Sequence, residues 1–176
     1  LLILCTFFQR TPFAFAKITD DHINKVKKIK EKFTSPTYTT ESPLNILFVC
    51  AGNTCRSAFA HHDTEFLFRD QIENGSLIVN SAGISPRNTN KSEGNNLAKP
   101  AKKVLEEDYN VSSVPHTKQK LNQDLINAAD VVYYMDENVQ TKTIAEYKDK
   151  VSNLIGKSKL LCGDKEVDDP YFDPTR

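Results

Sequence analysis

From residue 44 onward, short continuous apolar runs alternate along the chain with segments whose apolar residues recur every three or four positions. A short continuous run is typical of a strand buried on both faces, and the longer period is typical of a helix. The predicted strands are 45–49, 77–80, 131–135 and 159–161, and the predicted helices are 57–69, 95–107, 121–128 and 137–147. This alternation predicts a three-layer α/β fold with a four-stranded parallel sheet flanked by helices.

The first 16 residues have the pattern of a secretory signal peptide. An apolar run at 1–8 is followed by Pro12 and then by Ala14 and Ala16, the small residues of an A-x-A ending. No basic stretch precedes the run, and an apolar extension packed on the domain is the alternative interpretation. A signal peptide would make the mature protein secreted or periplasmic, and without one the protein is expected to be cytoplasmic.

Residues 17–43 connect this segment to the alternating region. Ile23, Val26 and Phe33 recur at helical spacing with lysines between them, which predicts an amphipathic surface helix over about 20–33. Proline, serine and threonine are frequent in 34–43 and predict a linker. The predicted organisation is a signal-peptide remnant at 1–16, a helix and linker at 17–43, and the main domain at 44–176.

Composition and charge narrow the classes of function. The chain has 176 residues, enough for one domain, and its 23 basic and 23 acidic residues give a formal net charge of zero. That balance argues against general nucleic-acid binding, and no apolar run reaches the ~18 residues of a membrane-spanning helix. The four cysteines, Cys5, Cys50, Cys55 and Cys162, lack paired zinc-ligand spacing and are too few for a disulfide scaffold. A single globular enzyme domain is the interpretation that remains.

The loop after the first predicted strand carries the candidate chemistry. Its sequence is Cys50-Ala51-Gly52-Asn53-Thr54-Cys55-Arg56-Ser57. A tight loop at a helix N-terminus directs backbone N–H groups inward and binds anions, and Arg56 can hold two phosphate oxygens in a bidentate contact. We expect Gly52 to adopt the unusual backbone conformation of the loop, and the anion-binding field to favour the nucleophilic thiolate of Cys50. A buried structural cysteine beside a surface arginine is the alternative.

These residues resemble the signature of a known enzyme family. Residues 48–57 are similar to the phosphate-loop signature of the low-molecular-weight protein tyrosine phosphatases, whose superfamily includes arsenate reductases and arginine phosphatases. The resemblance continues through Ser81-Ala82-Gly83, through 129–136 and into Asp168-Asp169-Pro170-Tyr171, in the order of the family and over about 44–176. It implies a cysteine-dependent phosphatase that hydrolyses phosphotyrosine-type phosphomonoesters of protein substrates through a phosphocysteine intermediate.

The resemblance also implies roles for individual residues. Cys50 is the expected nucleophile, Arg56 the expected phosphate-binding arginine, and Asp169 the expected general acid and base. Ser57 is expected to donate a hydrogen bond to the Cys50 sulfur. The implied phosphate- and substrate-binding residues are Ala51, Gly52, Asn53, Thr54, Cys55, Ser57 and Tyr171, and the implied loop-supporting residues are Asn53, Ser81 and His116. No metal or other cofactor is implied, because a thiolate, an arginine and an acid suffice.

The chain departs from the family pattern at three places. Ala58 stands where the family usually has proline, and Arg87 stands near the position of an aromatic wall of the substrate cleft. Family members continue beyond the position of Arg176 into a final helix, so we expect either that the sequence is a fragment or that the domain lacks that helix. An exposed sheet face would favour aggregation or a partner, unless the predicted helix at 20–33 covers it.

Three alternative functions follow from single residues. Thr54 matches the threonine of phosphoarginine phosphatases in the superfamily, which makes phosphoarginine the second candidate substrate. Arsenate reduction needs a relay of cysteines, and Cys162 is the one cysteine downstream of the loop. A non-catalytic phosphate-binding domain is the third alternative. The resemblance further implies that Cys55 approaches Cys50 closely enough to trap its oxidised form as a disulfide.

Overall fold

The computed structural model describes residues 39–86, 97–110, 113–163 and 166–168. The predicted signal peptide at 1–16 and the predicted helix at 20–33 lie outside these ranges, as do Arg87, Asp169 and Tyr171. Within the described part of the chain, no helix combines the length and the apolar character needed to cross a membrane.

Four parallel strands form one sheet in the order β2-β1-β3-β4. Helices join the strands and cover both faces of the sheet, so the predicted α/β fold with a four-stranded parallel sheet is confirmed. In chain order the elements are β1 (Leu44–Cys50), α1 (Arg56–Leu67), α2 (Arg69–Glu73), β2 (Leu77–Gly83), α3 (Lys99–Tyr109), α4 (Gln123–Ala128), β3 (Val131–Tyr134), α5 (Glu137–Tyr147), α6 (Leu154–Lys157) and β4 (Ser158–Leu160).

The boundaries of some elements differ from the sequence prediction. β2 extends beyond the predicted 77–80, because residues 81–83 pair in register with residues 48–50 of β1. The predicted helix 57–69 is divided at Phe68 into α1 and α2, and the short α6 was not predicted. Small and polar residues at the end of a strand carry no apolar signal, so the pattern stopped short of the end of β2.

The side chains of β1 alternate between two hydrophobic cores. Ile46 and Phe48 lie in the core that contains residues of α1 and α3, whereas Leu47 and Val49 lie in the core that contains residues of α4 and α5. Burial on both faces explains why this strand is a continuous apolar run. This burial also fixes the position of Cys50, which is the last residue of β1 and lies at the carboxyl end of that strand.

The order of the strands places a topological switch point at the carboxyl end of β1. The chain leaves β1 for β2 on one side of it and later returns to β3 on the other side. In open parallel sheets, ligands bind outside the carboxyl ends of the strands at such a switch point. The loop at 51–55 therefore lies where this fold is expected to hold a ligand.

Candidate active site

The loop at 51–55 connects β1 directly to the N-terminus of α1. Cys55 is the N-cap residue of α1, and no side chain makes a capping hydrogen bond there. The first N–H groups of a helix lack partners within the helix and carry the positive end of its dipole. Cys50 is buried at the end of β1, with 3% of its surface exposed, so its sulfur lies at the base of an anion-binding loop.

Two polar groups contact the sulfur of Cys50. The backbone N–H of Asn53 donates to Cys50 Sγ at 3.2 Å, and the hydroxyl of Ser57 lies 3.0 Å from the same sulfur. The side-chain amide of Asn53 donates to Ser57 Oγ at 3.1 Å, which leaves the hydroxyl proton of Ser57 able to point to the sulfur. The contact predicted between Ser57 and Cys50 is therefore present.

The unusual backbone conformation of the loop belongs to Asn53 and not to Gly52. Asn53 has a φ of 53°, whereas Gly52 is not among the residues with positive φ. A Cβ atom placed on Gly52 would lie 3.7 Å from its nearest neighbour, Thr54 Oγ1, which is an ordinary contact. The prediction for Gly52 was wrong because asparagine also tolerates the left-handed region, and here its side chain fixes that conformation.

Three residues from other segments hold Asn53 in place. Its side-chain amide donates to Ser81 Oγ at 2.9 Å, and its side-chain oxygen accepts the backbone N–H of Gln119 at 2.9 Å. His116 Nε2 lies 2.8 Å from the carbonyl oxygen of Asn53 and must donate, because a carbonyl only accepts. The predicted support of the loop by Asn53, Ser81 and His116 is thus present as contacts, and Gln119 joins it.

The environment of His116 keeps its imidazole neutral near pH 7. Burial, together with the neighbouring imidazoles His62 and His61, lowers the pKa of His116 to about 4 and outweighs the opposing effects of the hydrogen bond to Asn53 and of the Glu65 charge. A neutral imidazole has one N–H, and the contact with Asn53 places it on Nε2. His116 therefore supports the loop as a neutral hydrogen-bond donor.

Arg56 begins α1 and is almost completely buried, with 5% of its surface exposed. Its Nη1 donates to Asp136 Oδ2 at 2.7 Å and to the carbonyl oxygen of Val167 at 3.1 Å. Asp136 is also the N-cap of α5, where its Oδ1 accepts the N–H of Val139 at 2.7 Å. The carboxylate thus has two fixed partners and holds the guanidinium in one orientation beside the loop.

Gly83 lets the end of β2 approach the loop closely. A Cβ atom on Gly83 would lie 2.9 Å from Ala51 O, Asn53 N and Gly52 C. Just beyond Gly83, the N–H of Ile84 donates to Cys50 O at 3.1 Å and the N–H of Ser85 donates to Ala51 O at 2.9 Å. Only a glycine fits against this backbone without displacing the loop.

The other predicted site residues divide into those that the structure describes and those that it does not. Ala51 is exposed, and Thr54 and Cys55 are half-buried within the loop. Neither Cys50 nor Cys55 forms a disulfide bond in the structure. The predicted general acid, Asp169, and the predicted cleft residue, Tyr171, lie outside the described residues.

No sequence pattern indicated a role for Asp136, Gln119 or Gly83. Asp136 follows β3 directly, and polar residues at the carboxyl ends of parallel strands meet at one edge of the sheet. That rule could have identified Asp136. Gln119 lies in a segment without regular structure and is 66 positions from Asn53, so no local pattern indicates its contact.

We expect Gly83→Ala to weaken binding of orthophosphate by about tenfold or more, because the new Cβ displaces the backbone of the loop. Its cost in stability should be about 1 to 3 kcal/mol. Isothermal titration with phosphate and urea unfolding measure the two effects.

The matched control is Gly75→Ala. Gly75 has a φ of 76° and lies before β2, at the opposite end of the strand from the loop. This change should cost about 1 kcal/mol of stability and leave phosphate affinity unchanged. Wild-type phosphate affinity in Gly83→Ala would show that the loop does not depend on this close approach.

Comparison with known proteins identifies the family. The family model for low molecular weight phosphotyrosine protein phosphatase matches residues 45–175. The low molecular weight protein-tyrosine-phosphatase Ptp of Acinetobacter johnsonii is 34% identical over 96 residues, which are 54% of this chain and 59% of that protein. The protein-arginine-phosphatase of Bacillus subtilis is 29% identical over 133 residues, covering 73% of this chain and 80% of that protein.

A solved structure agrees with these sequence matches. The YwlE arginine phosphatase from Geobacillus stearothermophilus aligns with a TM-score of 0.59 and 26% identity, covering 75% of this chain and 79% of that one. The family match extends from β1 through the loop and beyond the last strand of the sheet. The chain therefore belongs to the low molecular weight phosphotyrosine protein phosphatase family.

Proposed function

We propose that this protein hydrolyses phosphotyrosine-type phosphomonoesters of protein substrates, with Cys50 as the nucleophile. The observation that carries this proposal is the environment of the sulfur. A backbone N–H at 3.2 Å and a hydroxyl at 3.0 Å converge on Cys50 Sγ at the N-terminus of α1. Both groups suit a thiolate, which accepts hydrogen bonds and attacks phosphorus.

The first chemical step transfers the phosphoryl group to the enzyme. The Cys50 thiolate attacks phosphorus, the S–P bond forms and the P–O bond to the substrate breaks. Asp169 gives its proton to the departing oxygen, and the loop N–H groups with Arg56 bind the three phosphoryl oxygens, where charge develops. The product is a phosphocysteine.

The second step releases phosphate. Asp169, now ionised, takes a proton from water, the water oxygen attacks phosphorus, and the S–P bond breaks to return the thiolate. The contact of Ser57 with the sulfur supports this step, because a positioned hydroxyl stabilises the thiolate as it leaves. The contact between Arg56 and Asp136 supports both steps, since it fixes the guanidinium before substrate binds.

Phosphoarginine is the second candidate substrate. Thr54 lies half-buried in the loop, and two relatives at 29% and 26% identity are named as arginine phosphatases. A threonine hydroxyl can hydrogen-bond a guanidinium N–H, whereas an aliphatic side chain cannot. Phosphotyrosine remains the first candidate because the family model that matches the chain carries that name.

The cellular location and the redox behaviour of the site are also proposals. A signal peptide at 1–16 would place the enzyme outside the cytoplasm, and without one the enzyme would be cytoplasmic. Cys55 caps α1 in the same loop as Cys50, which supports its proposed role of protecting an oxidised Cys50 by forming a disulfide.

We expect Cys50→Ser to abolish hydrolysis of phosphotyrosine peptides while phosphate binding is largely retained, because the loop N–H groups and Arg56 remain. Steady-state assays and phosphate titration measure these two properties. Measurable steady-state turnover in the variant would remove Cys50 from the mechanism. Mass spectrometry of quenched wild-type enzyme should detect a phosphoryl adduct on Cys50.

Asp169→Ala should reduce kcat/KM far more for alkyl phosphates than for activated aryl phosphates, since only a poor leaving group needs a proton. The loss on the poor leaving group should be on the order of 100-fold or more. The exposed neighbour provides the matched control, because Asp168→Ala should behave as wild type on both substrates. Equal losses on both substrates would contradict the role of Asp169 as general acid.

Thr54→Ile should retain or increase kcat/KM on phosphotyrosine peptides if phosphotyrosine is the substrate. If phosphoarginine is the substrate, the change should lower kcat/KM on phosphoarginine by about tenfold or more. Thr54→Ser, which keeps the hydroxyl, is the control and should retain any phosphoarginine activity. Lack of wild-type activity on both substrates would favour a non-catalytic phosphate-binding domain.

A further inference from the structure

Three side chains of α1 converge behind the phosphate-binding loop. His61 Nε2 lies 3.1 Å from Glu65 Oε1, and His62 Nδ1 lies 2.8 Å from Glu65 Oε2. One ligand atom from each of the three residues lies within 4.8 Å of the others. The mechanism proposed above uses none of these three side chains.

The cluster is linked to the loop by a series of contacts. Three links run in series from the Glu65 carboxylate to the loop: to His62 Nδ1 at 2.8 Å, from His62 Nε2 to His116 Nδ1 at 3.1 Å, and from His116 Nε2 to Asn53 O at 2.8 Å. The same contacts therefore position the cluster and hold Asn53.

The outer nitrogens of both imidazoles have the partners that metal-bound histidines use. His61 Nδ1 lies 3.1 Å from Ser81 Oγ, and His62 Nε2 lies 3.1 Å from His116 Nδ1. Metal-bound histidines direct their second ring nitrogen to such an acceptor, which fixes the tautomer and the orientation of the ring.

The cluster is close to the size that a divalent ion needs. Bonds of about 2.1 Å in tetrahedral geometry place ligand atoms about 3.4 Å apart. Glu65 lies 3.1 and 2.8 Å from the two imidazole nitrogens, and the three ligand atoms lie within 4.8 Å of one another, so the side chains must adjust to surround an ion. The side chain of Glu65 is 38% exposed, which permits such movement and gives an ion access from solvent.

We propose that His61, His62 and Glu65 form a binding site for a divalent transition metal of the zinc type. Two imidazoles and one carboxylate suit zinc, cobalt or nickel and are poor ligands for magnesium or calcium. Water completes the coordination. Because Ser81 and His116 contact both this cluster and Asn53, the bound ion braces the loop from behind and takes no part in the chemistry.

Titration of the metal-free full-length chain with Co²⁺ tests the site. We expect one equivalent to bind with visible absorption typical of nitrogen and oxygen ligands and without the thiolate charge-transfer band that Cys50 or Cys55 would give. Glu65→Gln and His61→Gln should each raise the Kd by about tenfold or more. Glu107→Gln removes an exposed helical glutamate from α3 and should bind as wild type.

A second measurement needs no variant. The ring nitrogen resonances of His61 and His62 should shift on addition of Zn²⁺, whereas those of His22 should not. Absence of saturable Co²⁺ binding, wild-type affinity in both variants, or a thiolate band would overturn the proposal. Because every readout is binding without substrate, its failure is distinct from failure of the phosphatase function.

Discussion

The left-handed conformation of Asn53 is the constraint on which the rest of the site depends. The residue is completely buried with a φ of 53°, a conformation that costs a non-glycine residue about 1 to 2 kcal/mol. Its polar groups offset that cost, because its N–H, its carbonyl and both atoms of its side-chain amide have partners. The turn aims a backbone N–H at the sulfur of Cys50, so this contact with the sulfur follows from the conformation of one residue.

β2 and the segment before α4 supply the partners that hold this turn. Ser81 lies on β2, while His116 and Gln119 come from the segment before α4, and all three meet the loop at the carboxyl edge of the sheet. Gly83 allows β2 to come within contact of the loop backbone. The loop and its one strained residue are therefore held by hydrogen bonds from two separate segments, β2 and the segment before α4.

Charged groups surround the loop in two separate sets. Toward the end of β3, Asp136 holds Arg56 in place. Behind the loop, burial raises the pKa of Glu65, but the hydrogen bonds and charges of His61 and His62 outweigh burial and lower it to about 2. Glu65 is thus ionised at neutral pH. Arg56 directly follows the loop, and the imidazole–carboxylate cluster of His61, His62 and Glu65 is linked to Asn53 through Ser81 and His116.

The sequence alone determined the succession of strands and helices along the chain and the position of the Cys50 loop, because both depend on local pattern and on motif spacing. The supports Asn53, Ser81 and His116 came from the family resemblance and not from any pattern of the chain itself. Asp169, Tyr171 and the segment before residue 39 stay predictions. The assignment of the turn to Gly52 was wrong, because composition cannot show which residue a set of distant hydrogen bonds will fix.

Tertiary structure decided the contacts across long separations. Arg56 meets Asp136 at a separation of 80 positions, and Asn53 meets Gln119 at 66. His62 meets His116 at 54. No periodicity connects such pairs, because their proximity follows from the order in which four strands pair and from which strand ends share an edge. Packing of the sheet, and not any local propensity, assembled the contact of Arg56 with Asp136 and the contact of His62 with His116.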